Sequence, residues 1–313
     1  MMPAEQIPVV CLMGPTATGK TDAAAQAFDA FDAEIISVDS SLVYQGMNIG
    51  TAKPDESFLR QYPHHLINLR HPNESYSVAD FYHQCTELIS SITASGKVPV
   101  LAGGTMFYFN TLEHGLSDLP AANQELRGQI SSEAEQLGWP AMHAKLAIID
   151  PGSASRIDHM DAQRIQRALE IVLESGKSVA AHNASRKPGI INPMLKIALS
   201  FSDRAELHQR IERRFEIMLE RGFQVEVEDL LADGILPSAS SMKMIGYRQM
   251  LEFLAGDVSK EEMRLKGVAA TRQLAKRQLT WLRNQRNIVW WVDFGLKDKK
   301  FQPLVTLIEQ YLR

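Results

Sequence analysis

The chain has 313 residues with 33 basic and 37 acidic side chains, a formal net charge of −4 and 45% hydrophobic residues. This composition excludes a disordered chain and a disulfide-stapled miniprotein, and the length favours two domains. No apolar run approaches the roughly 18 residues of a membrane span, and we expect no signal peptide and no membrane contact. The two cysteines lack metal-ligand spacing, which predicts a reduced, cytoplasmic protein.

The first hundred residues alternate between predicted strands and predicted helices. Apolar runs predict strands over 7–13, 34–39 and 98–102, and helical periodicity extends over 20–27 and 76–95. Such alternation indicates an α/β protein with a doubly wound parallel sheet.

From about residue 115 the pattern changes to successive helix-like segments with almost no strand signal. We therefore predict an all-helical insertion domain over 115–194, and a core formed by 1–114 and 195–313. Helices are predicted in the insertion over 123–137, 141–149 and 162–173. In the returning core, strands are predicted over 195–201 and 288–294, and helices over 204–221, 224–232, 242–255 and 259–284, before a C-terminal helix.

A glycine-rich loop separates the first predicted strand from the first predicted helix. It matches G-x-x-x-x-G-K-[ST] with Gly14, Pro15, Thr16, Ala17, Thr18, Gly19, Lys20 and Thr21. Backbone N–H groups of such a loop and the start of its helix attract phosphate oxygens, the lysine reaches the terminal phosphates, and the threonine hydroxyl binds Mg²⁺. The motif predicts polyphosphate binding on a P-loop NTPase-like core without indicating ATP in particular.

Two neighbouring strand ends carry further polar residues. Asp39 follows the second predicted strand, and Gly103, Gly104 and Thr105 follow the third. Because ligands of open α/β sheets bind beyond the carboxyl ends of the strands, these residues converge on one crevice. Asp39 could be a general base, a metal ligand through water, or a plain capping carboxylate.

A basic strip lies on the helix predicted over 259–284. Residues 260–300 contain eleven Lys or Arg against four Asp or Glu, with Trp281 among them. The strip is typical of a surface for a nucleic-acid backbone, although a solvated helix face is the commoner origin of such a run. The segment 246–249 could stack on and hydrogen-bond an unpaired base. One of the arginines in 210–214 could reach a phosphate, or all could pair with neighbouring glutamates.

Five segments, taken in order, resemble the motifs of the bacterial tRNA dimethylallyltransferase family, also called tRNA isopentenyltransferases or the IPP transferase family. They are GPTATGKT, ISVDSSLVYQGMNIGTAKP, PVLAGGTMFY, MIGYRQM and TRQLAKRQLTWLR. The resemblance extends from about residue 8 to residue 284. It implies transfer of a dimethylallyl group from dimethylallyl diphosphate to N6 of adenine-37 in tRNAs that read codons beginning with U, with release of diphosphate.

The resemblance also implies residue roles. The phosphate loop would hold the substrate's diphosphate, with Mg²⁺ near Thr21 and with Lys20 and Arg214 neutralising the leaving group. Asp39 is then the candidate base, and Thr105 contacts the target nucleotide. The partner would be the anticodon stem-loop with adenosines at positions 36 to 38, bound by a monomer. The implied tRNA contacts are Asp39, Ser40, Ser41, Leu42, Thr105, Arg127, Gln163, Arg164, Ile165, Gln166, Arg167, Met244, Ile245, Gly246, Tyr247, Arg248, Gln249, Lys276, Arg277, Gln278, Leu279, Thr280, Trp281, Leu282 and Arg283.

Three other functions share parts of this pattern. A small-molecule kinase uses the same loop with ATP and would turn ATP over. An adenylate isopentenyltransferase works on free AMP and needs neither a large insertion nor a basic helix. A non-catalytic RNA-binding module would be unaffected by replacement of Asp39.

Overall fold

The computed structural model describes residues 3–292 and 302–312. The chain divides into two compact units: a core unit, formed by the residues up to Glu113 and those from Ile190 onwards, and a helical unit, His114–Gly189. None of the helices in the described residues has the length and apolar character needed to cross a membrane.

The core unit is built on a six-stranded sheet in the order β3-β2-β4-β1-β5-β6. All five neighbouring pairs run parallel, so the predicted doubly wound α/β sheet is confirmed. Because β1 lies between β4 and β5, the loop that follows it opens at the middle of the carboxyl edge. The strands are β1 (Val9–Met13), β2 (Ala33–Val38), β3 (His64–His65), β4 (Val98–Gly103), β5 (Met194–Ser200) and β6 (Ile288–Val292).

Helices cover the sheet and extend beyond its carboxyl edge. They are α1 (Lys20–Ala30), α2 (Glu56–Gln61), α3 (Val78–Ala94) and α4 (Met106–His114), then, after the helical unit, α10 (Arg204–Glu220), α11 (Phe223–Ala232), α12 (Tyr247–Leu254), α13 (Lys260–Arg283) and α14 (Gln302–Leu312). Residues of α1 and α14 pack with Leu12 and Leu199 in one apolar cluster. A second cluster joins α10 to α13 around Phe215, Phe223 and Tyr247.

The structure differs from the sequence prediction at four elements of the core unit. The helix predicted over 242–255 begins only at Tyr247, because Gly246 has a φ of 92° that no helix accommodates. The edge strand β3 was not predicted: it has two residues, and His65 Nε2 lies 2.8 Å from Glu34 Oε2. The short helices α2 and α4 were also not predicted. The predicted extension of the last strand to Phe294 lies outside the described residues.

The helical unit contains α5 (Gln124–Leu137), α6 (Trp139–Ile149), α7 (Pro151–Ala154), α8 (Ala162–Ser175) and α9 (Val179–Ala184). All of it is described, and it contains no strand. A buried carboxylate lies at its centre: Glu170, fully buried, accepts hydrogen bonds from Arg127, Arg167 and the backbone N–H of Asn123. Its small apolar core includes Met142 and Leu146 of α6.

Candidate active site

The phosphate loop curls between β1 and α1. Ala17 and Gly19 have φ values of 66° and 82°, which turn successive backbone N–H groups inward. The Thr18 hydroxyl donates to the Pro15 carbonyl at 2.9 Å and closes the loop on itself. No side chain caps the start of α1. The loop and helix start therefore retain the N–H groups that phosphate oxygens accept from.

Cations gather at this loop without a carboxylate bonded to them. Lys20 Nζ donates to the Pro15 carbonyl, and Arg210 Nε donates to the Ala17 carbonyl at 3.0 Å. Arg214 Nη2 lies 3.5 Å from the Thr51 carbonyl oxygen. Within the described residues, none of these three cations forms an ion pair. Their charge is therefore available to an anionic ligand.

Loss of hydration shifts the ionisation of two of these groups. It lowers the pKa of Lys20 to about 7, opposed by the negative charge of Asp39 and reinforced by the positive charge of Arg214. It also lowers the pKa of Arg214, again opposed by Asp39. Both cations thus interact electrostatically with Asp39, and a polyanion bound beside them would favour their charged forms.

Asp39 and Thr105 lie together at the ends of β2 and β4. Asp39 Oδ1 accepts from the backbone N–H and the hydroxyl of Ser41, at 2.9 and 2.6 Å. Within the described residues, Asp39 Oδ2 accepts no hydrogen bond. Thr105 Oγ1 accepts from the backbone N–H of Ser40 at 3.0 Å, and its own N–H donates to the Val38 carbonyl. The carboxylate is therefore oriented through one oxygen and keeps the other for a ligand.

One side chain of α13 links the phosphate loop to the end of β4. Gln278 Oε1 accepts from the backbone N–H of Thr16 at 3.2 Å, while Gln278 Nε2 donates to the Gly104 carbonyl at 2.8 Å. A Cβ atom at Gly104 would lie 2.5 Å from Gln278 Nε2. The glycine that the sequence marks for close approach is thus approached by a protein side chain.

A cavity of about 980 Å³ at the carboxyl edge brings together all five predicted catalytic residues. Lys20, Thr21, Asp39, Thr105 and Arg214 all line it. It is bounded by the phosphate loop, the ends of β2 and β4, the loop 50–54, and faces of α10 and α13. Among its other lining residues are Thr16, Ala17, Thr18, Gly19, Ser40, Ser41, Leu42, Phe107, Met244, Ile245, Tyr247, Arg277, Gln278 and Trp281.

An exposed aromatic pair belongs to the same wall. Phe107 and Trp281 are 51% and 40% exposed, and their ring centroids are 6.4 Å apart. Exposed rings beside a polar, cationic cavity are suited to a ligand with both an apolar part and a charged part.

Comparison with known proteins shows the family of this chain. The sequence model of the family described as IPP transferase matches residues 42–285. Similar proteins named tRNA dimethylallyltransferase come from Methylobacillus flagellatus, 52% identical over 89% of both chains, and Thiobacillus denitrificans, 51% identical over 88% of this chain and 89% of that relative. The chain belongs to the IPP transferase family.

Solved structures agree with this membership. A full-length tRNA isopentenylpyrophosphate transferase from Bacillus halodurans has a TM-score of 0.71 at 36% identity, covering 98% of this chain and 97% of that one. A eukaryotic dimethylallyltransferase acting on tRNA has a TM-score of 0.79 at 25% identity, covering 97% of this chain and 79% of that one. The IPP transferase fold thus extends through both the core unit and the helical unit.

Mg²⁺, which the resemblance implies, fits the donors present in this IPP transferase. Thr21 is exposed at the start of α1 and lines the cavity together with Asp39, so both offer oxygen donors. No group of three or more His, Cys, Asp or Glu that could hold a metal occurs in the described residues. A sparse, all-oxygen donor set suits an ion that binds mainly through phosphate and water oxygens, as Mg²⁺ does.

The segment 244–249 does not present the side chains that the sequence analysis expected to meet a base. Tyr247 is fully buried, packs edge-on against Phe223 and donates to Glu226 Oε1 at 2.7 Å. Gln249 is also buried, and its Oε1 accepts from the backbone N–H of Gly246. Only Arg248 is exposed. The polar atoms of Tyr247 and Gln249 already form hydrogen bonds within the protein. These two side chains therefore support the cavity wall from the protein interior.

The predicted contacts on α13 differ in how accessible their side chains are. Lys276, Arg277, Thr280, Trp281 and Arg283 are exposed. Leu282 is fully buried, and Gln278 is occupied by the link described above. Leu279 and Arg283 line a second cavity of about 630 Å³. The basic strip has less free charge than its composition indicates, because Arg272 pairs with Glu212 at 2.9 Å. Its residues 297, 299 and 300 lie outside the described residues.

In the helical unit, most of the expected tRNA contacts have internal partners. Arg127 and Arg167 pair with Glu170. Gln166 donates to the Arg127 carbonyl and the Ser131 hydroxyl, and Ile165 is fully buried. Gln163 and Arg164 are exposed, the latter within 3.4 Å of Asp161. All six residues stay predicted contacts, and Gln163 and Arg164 are the exposed ones among them.

Sequence reasoning assigned no role to Phe107, which lines the cavity, or to Glu226, which lies outside the cavity and binds the main chain that leads into its wall. The loop 50–54 forms part of the cavity wall. It belongs to the motif ISVDSSLVYQGMNIGTAKP, but the sequence analysis assigned it no role. Phe107 could have been suspected because it directly follows the Gly-Gly-Thr-Met segment. Glu226 carries no local signal, since its backbone partners lie 176 to 178 residues earlier in the chain and Tyr247 lies 21 residues later.

Proposed function

We propose that this IPP transferase moves a dimethylallyl group from dimethylallyl diphosphate to N6 of adenine-37 in tRNAs that read codons beginning with U. One observation carries the proposal beyond family membership. Lys20 and Arg214 line the same cavity as Asp39, which retains a free carboxylate oxygen. The site thus combines a diphosphate cradle with a proton acceptor.

The cradle favours departure of the diphosphate. An allylic carbon ionises readily once its leaving group is neutralised, and positive charge held in advance stabilises the negative charge as it develops. Lys20, Arg214 and the N–H groups of the phosphate loop supply that charge. When bound, Mg²⁺ would neutralise further diphosphate charge, and we propose that Thr21 holds it.

The acceptor side of the reaction needs a base, because the lone pair of the adenine amino group is delocalised into the ring. As the bond from C1 to the diphosphate oxygen breaks and the bond from C1 to N6 forms, a proton leaves N6. We assign this proton to Asp39 Oδ2. A positioned base contributes roughly 10²- to 10⁴-fold in rate.

The tRNA brings a polyanion to a protein with a net charge of −4, so docking depends on local cations. The exposed Lys276, Arg277 and Arg283 of α13 are the proposed backbone contacts. The target base must leave the anticodon-loop stack, which costs a few kcal/mol, and the exposed Phe107 and Trp281 rings offer it a new surface. We expect the protein to act as a monomer in the cytoplasm.

The test is a transfer assay. The protein is incubated with Mg²⁺, labelled dimethylallyl diphosphate and unmodified tRNA with adenosines at positions 36 to 38, and the nucleosides are analysed by mass spectrometry. The proposal expects one labelled N6 per tRNA. The label should be absent with Lys20→Ala, and also with a tRNA carrying guanosine at position 37.

Two results would contradict the proposal. Label on free AMP without any on tRNA would indicate an adenylate prenyltransferase. ATP turnover with no prenyl transfer would indicate a small-molecule kinase.

A further inference from the structure

Glu226 of α11 receives four hydrogen bonds on one carboxylate. Its Oε2 accepts from the backbone N–H groups of Asn48 and Ile49, at 2.8 and 2.5 Å. Its Oε1 accepts from the N–H of Gly50 at 2.9 Å and from the Tyr247 hydroxyl at 2.7 Å. Three consecutive N–H groups bound to one anion hold the intervening main chain in one conformation.

The bound segment continues directly into the wall of the active-site cavity. Gly50, Thr51, Ala52 and Pro54 all line the cavity. A Cβ atom at Gly50 would collide with the rings of Phe223 and Tyr247, so the main chain is pressed against α11 and α12. The loop therefore takes its position from these two helices.

The far end of the loop has its own anchor. Lys53, only 6% exposed, donates to the Tyr44 carbonyl at 2.7 Å and to Asn68 Oδ1 at 2.6 Å. Burial lowers the pKa of Lys53 to about 8, and the negative charge of Glu226 opposes this shift. The loop is thus held on both sides of Thr51, by Glu226 before it and by Lys53 after it.

Thr51 connects this loop to the chemistry. Its carbonyl oxygen lies 3.5 Å from Arg214 Nη2, and in the described part of the chain it is the one hydrogen-bond partner of that guanidinium. Arg214 shares the cavity with Lys20 and Asp39. A shift of the loop would therefore release Arg214 to other rotamers.

We propose that Glu226 is a positioning residue for the diphosphate site. It holds 48–51 so that the Thr51 carbonyl keeps the Arg214 guanidinium turned toward the leaving group. The inference rests on the proposed prenyl transfer. It assigns Glu226 a role that acts through Arg214 and involves no contact with substrate, since Glu226 does not line the cavity.

Glu226→Gln tests the role with little change of size. The amide keeps one acceptor oxygen and presents an NH₂ group to N–H donors, so half of the hydrogen bonds are lost. We expect kcat/KM to fall and KM for dimethylallyl diphosphate to rise by about tenfold, as for loss of one hydrogen bond to a charged group. Glu226→Asp should recover part of the loss because it keeps both charged oxygens. Glu228→Gln is the matched control on α11: its carboxylate accepts from Gln224 alone among the described residues, and its kinetics should not change.

The decisive measurement is a double-mutant cycle with Arg214→Ala. In that background Glu226→Gln should alter kcat/KM by less than about twofold, because the group it positions is gone. Equal losses in both backgrounds would overturn the proposal, since Glu226 would then support the fold in general. If Glu226→Gln does not fold, Glu226→Asp is taken through the same cycle, and additivity there has the same meaning.

An inactive wild-type protein would contradict the proposed function but would still leave this inference open to test. The cycle is then measured as affinity for inorganic diphosphate by calorimetry. Coupling between Glu226 and Arg214 supports the positioning role, and additive losses overturn it.

Discussion

Lys20 has the Pro15 carbonyl as its hydrogen-bond acceptor within the phosphate loop. Loss of hydration lowers its pKa to about 7, so the amine gains and loses its proton within the physiological pH range before a ligand binds. Bound diphosphate would add negative charge to that of Asp39 and raise the pKa of Lys20 again. The cost of holding a desolvated cation is therefore offset only in the complex, where the charge is needed.

Diphosphate affinity should consequently fall as the pH rises from 7 to 9. The complex raises the pKa of Lys20, so binding takes up a proton, and a reaction that takes up protons weakens as they become scarce, by up to about tenfold per pH unit. Calorimetry with inorganic diphosphate measures this. Lys20→Arg should remove the dependence, because a guanidinium stays charged. An unchanged slope in that variant would assign the titration to another group.

Two adjacent glycines should respond differently to the same added methyl group. At Gly104 a Cβ meets the end of a flexible side chain, Gln278 Nε2. We expect Gly104→Ala to displace Gln278 from the phosphate loop, to raise KM for dimethylallyl diphosphate by about tenfold, and to leave the melting temperature nearly unchanged. At Gly103 a Cβ meets the main chain of Val38, so Gly103→Ala should instead lower the melting temperature. Equal changes of the melting temperature in Gly103→Ala and Gly104→Ala would contradict this prediction.

At the scale of elements, α5 and α8 of the helical unit are joined through one buried carboxylate. Burial raises the pKa of Glu170, but hydrogen bonds from Arg167, Arg127 and the Asn123 N–H outweigh it, and the net pKa lies below the ordinary value of 4.5. Two arginines that the sequence presents as nucleic-acid contacts are thereby paired with a buried carboxylate, although each keeps about a third of its side chain exposed. The pairing makes these helices depend on each other.

Glu170→Gln should destabilise the helical unit by about 1.5–3 kcal/mol, the usual cost of losing a hydrogen bond to a charged group, because both arginine partners keep about a third of their side chains exposed. Because the folded-state pKa is lowered, the carboxylate contributes its stability above pH 4.5, and that contribution is lost as the pH falls through the lowered value. Calorimetric unfolding at pH 7 measures the loss. Glu174→Gln on the same helix is the control, since it is exposed and accepts from Asn123 Nδ2. Comparable effects of the two substitutions would show that the buried pair adds no particular stability.

At the scale of the whole molecule, an acidic protein must bind a polyanion through few free cations. The logarithm of tRNA affinity should fall linearly with the logarithm of salt concentration. Each of the single substitutions Lys276→Gln, Arg277→Gln and Arg283→Gln should reduce the slope by about one. Arg272→Gln is the matched control, because Glu212 already neutralises that guanidinium, and its slope should be unchanged. Equal slope changes at all four positions would mean that only total charge matters. Filter binding over a salt series measures the slopes.

Local sequence determined the parts of this protein whose partners are near in the chain. The phosphate loop needs only eight consecutive residues, 14–21, to bring its N–H groups and Lys20 together. Strand and helix alternation determined the parallel sheet, because parallel neighbours require crossovers. The sheet in turn determined that Asp39 and Thr105 would meet at its carboxyl edge.

Only the tertiary structure decided which of several chemically equal residues serve the site. Gln278 reaches Thr16 across 262 residues, and Glu226 reaches Ile49 across 177. Tyr247 and Arg127 look like nucleic-acid contacts in the sequence, yet packing directs both toward internal carboxylates. The physical reason is that a residue's type sets what it can bind, whereas the long-range packing of the chain sets which partner it reaches and whether solvent remains beside it.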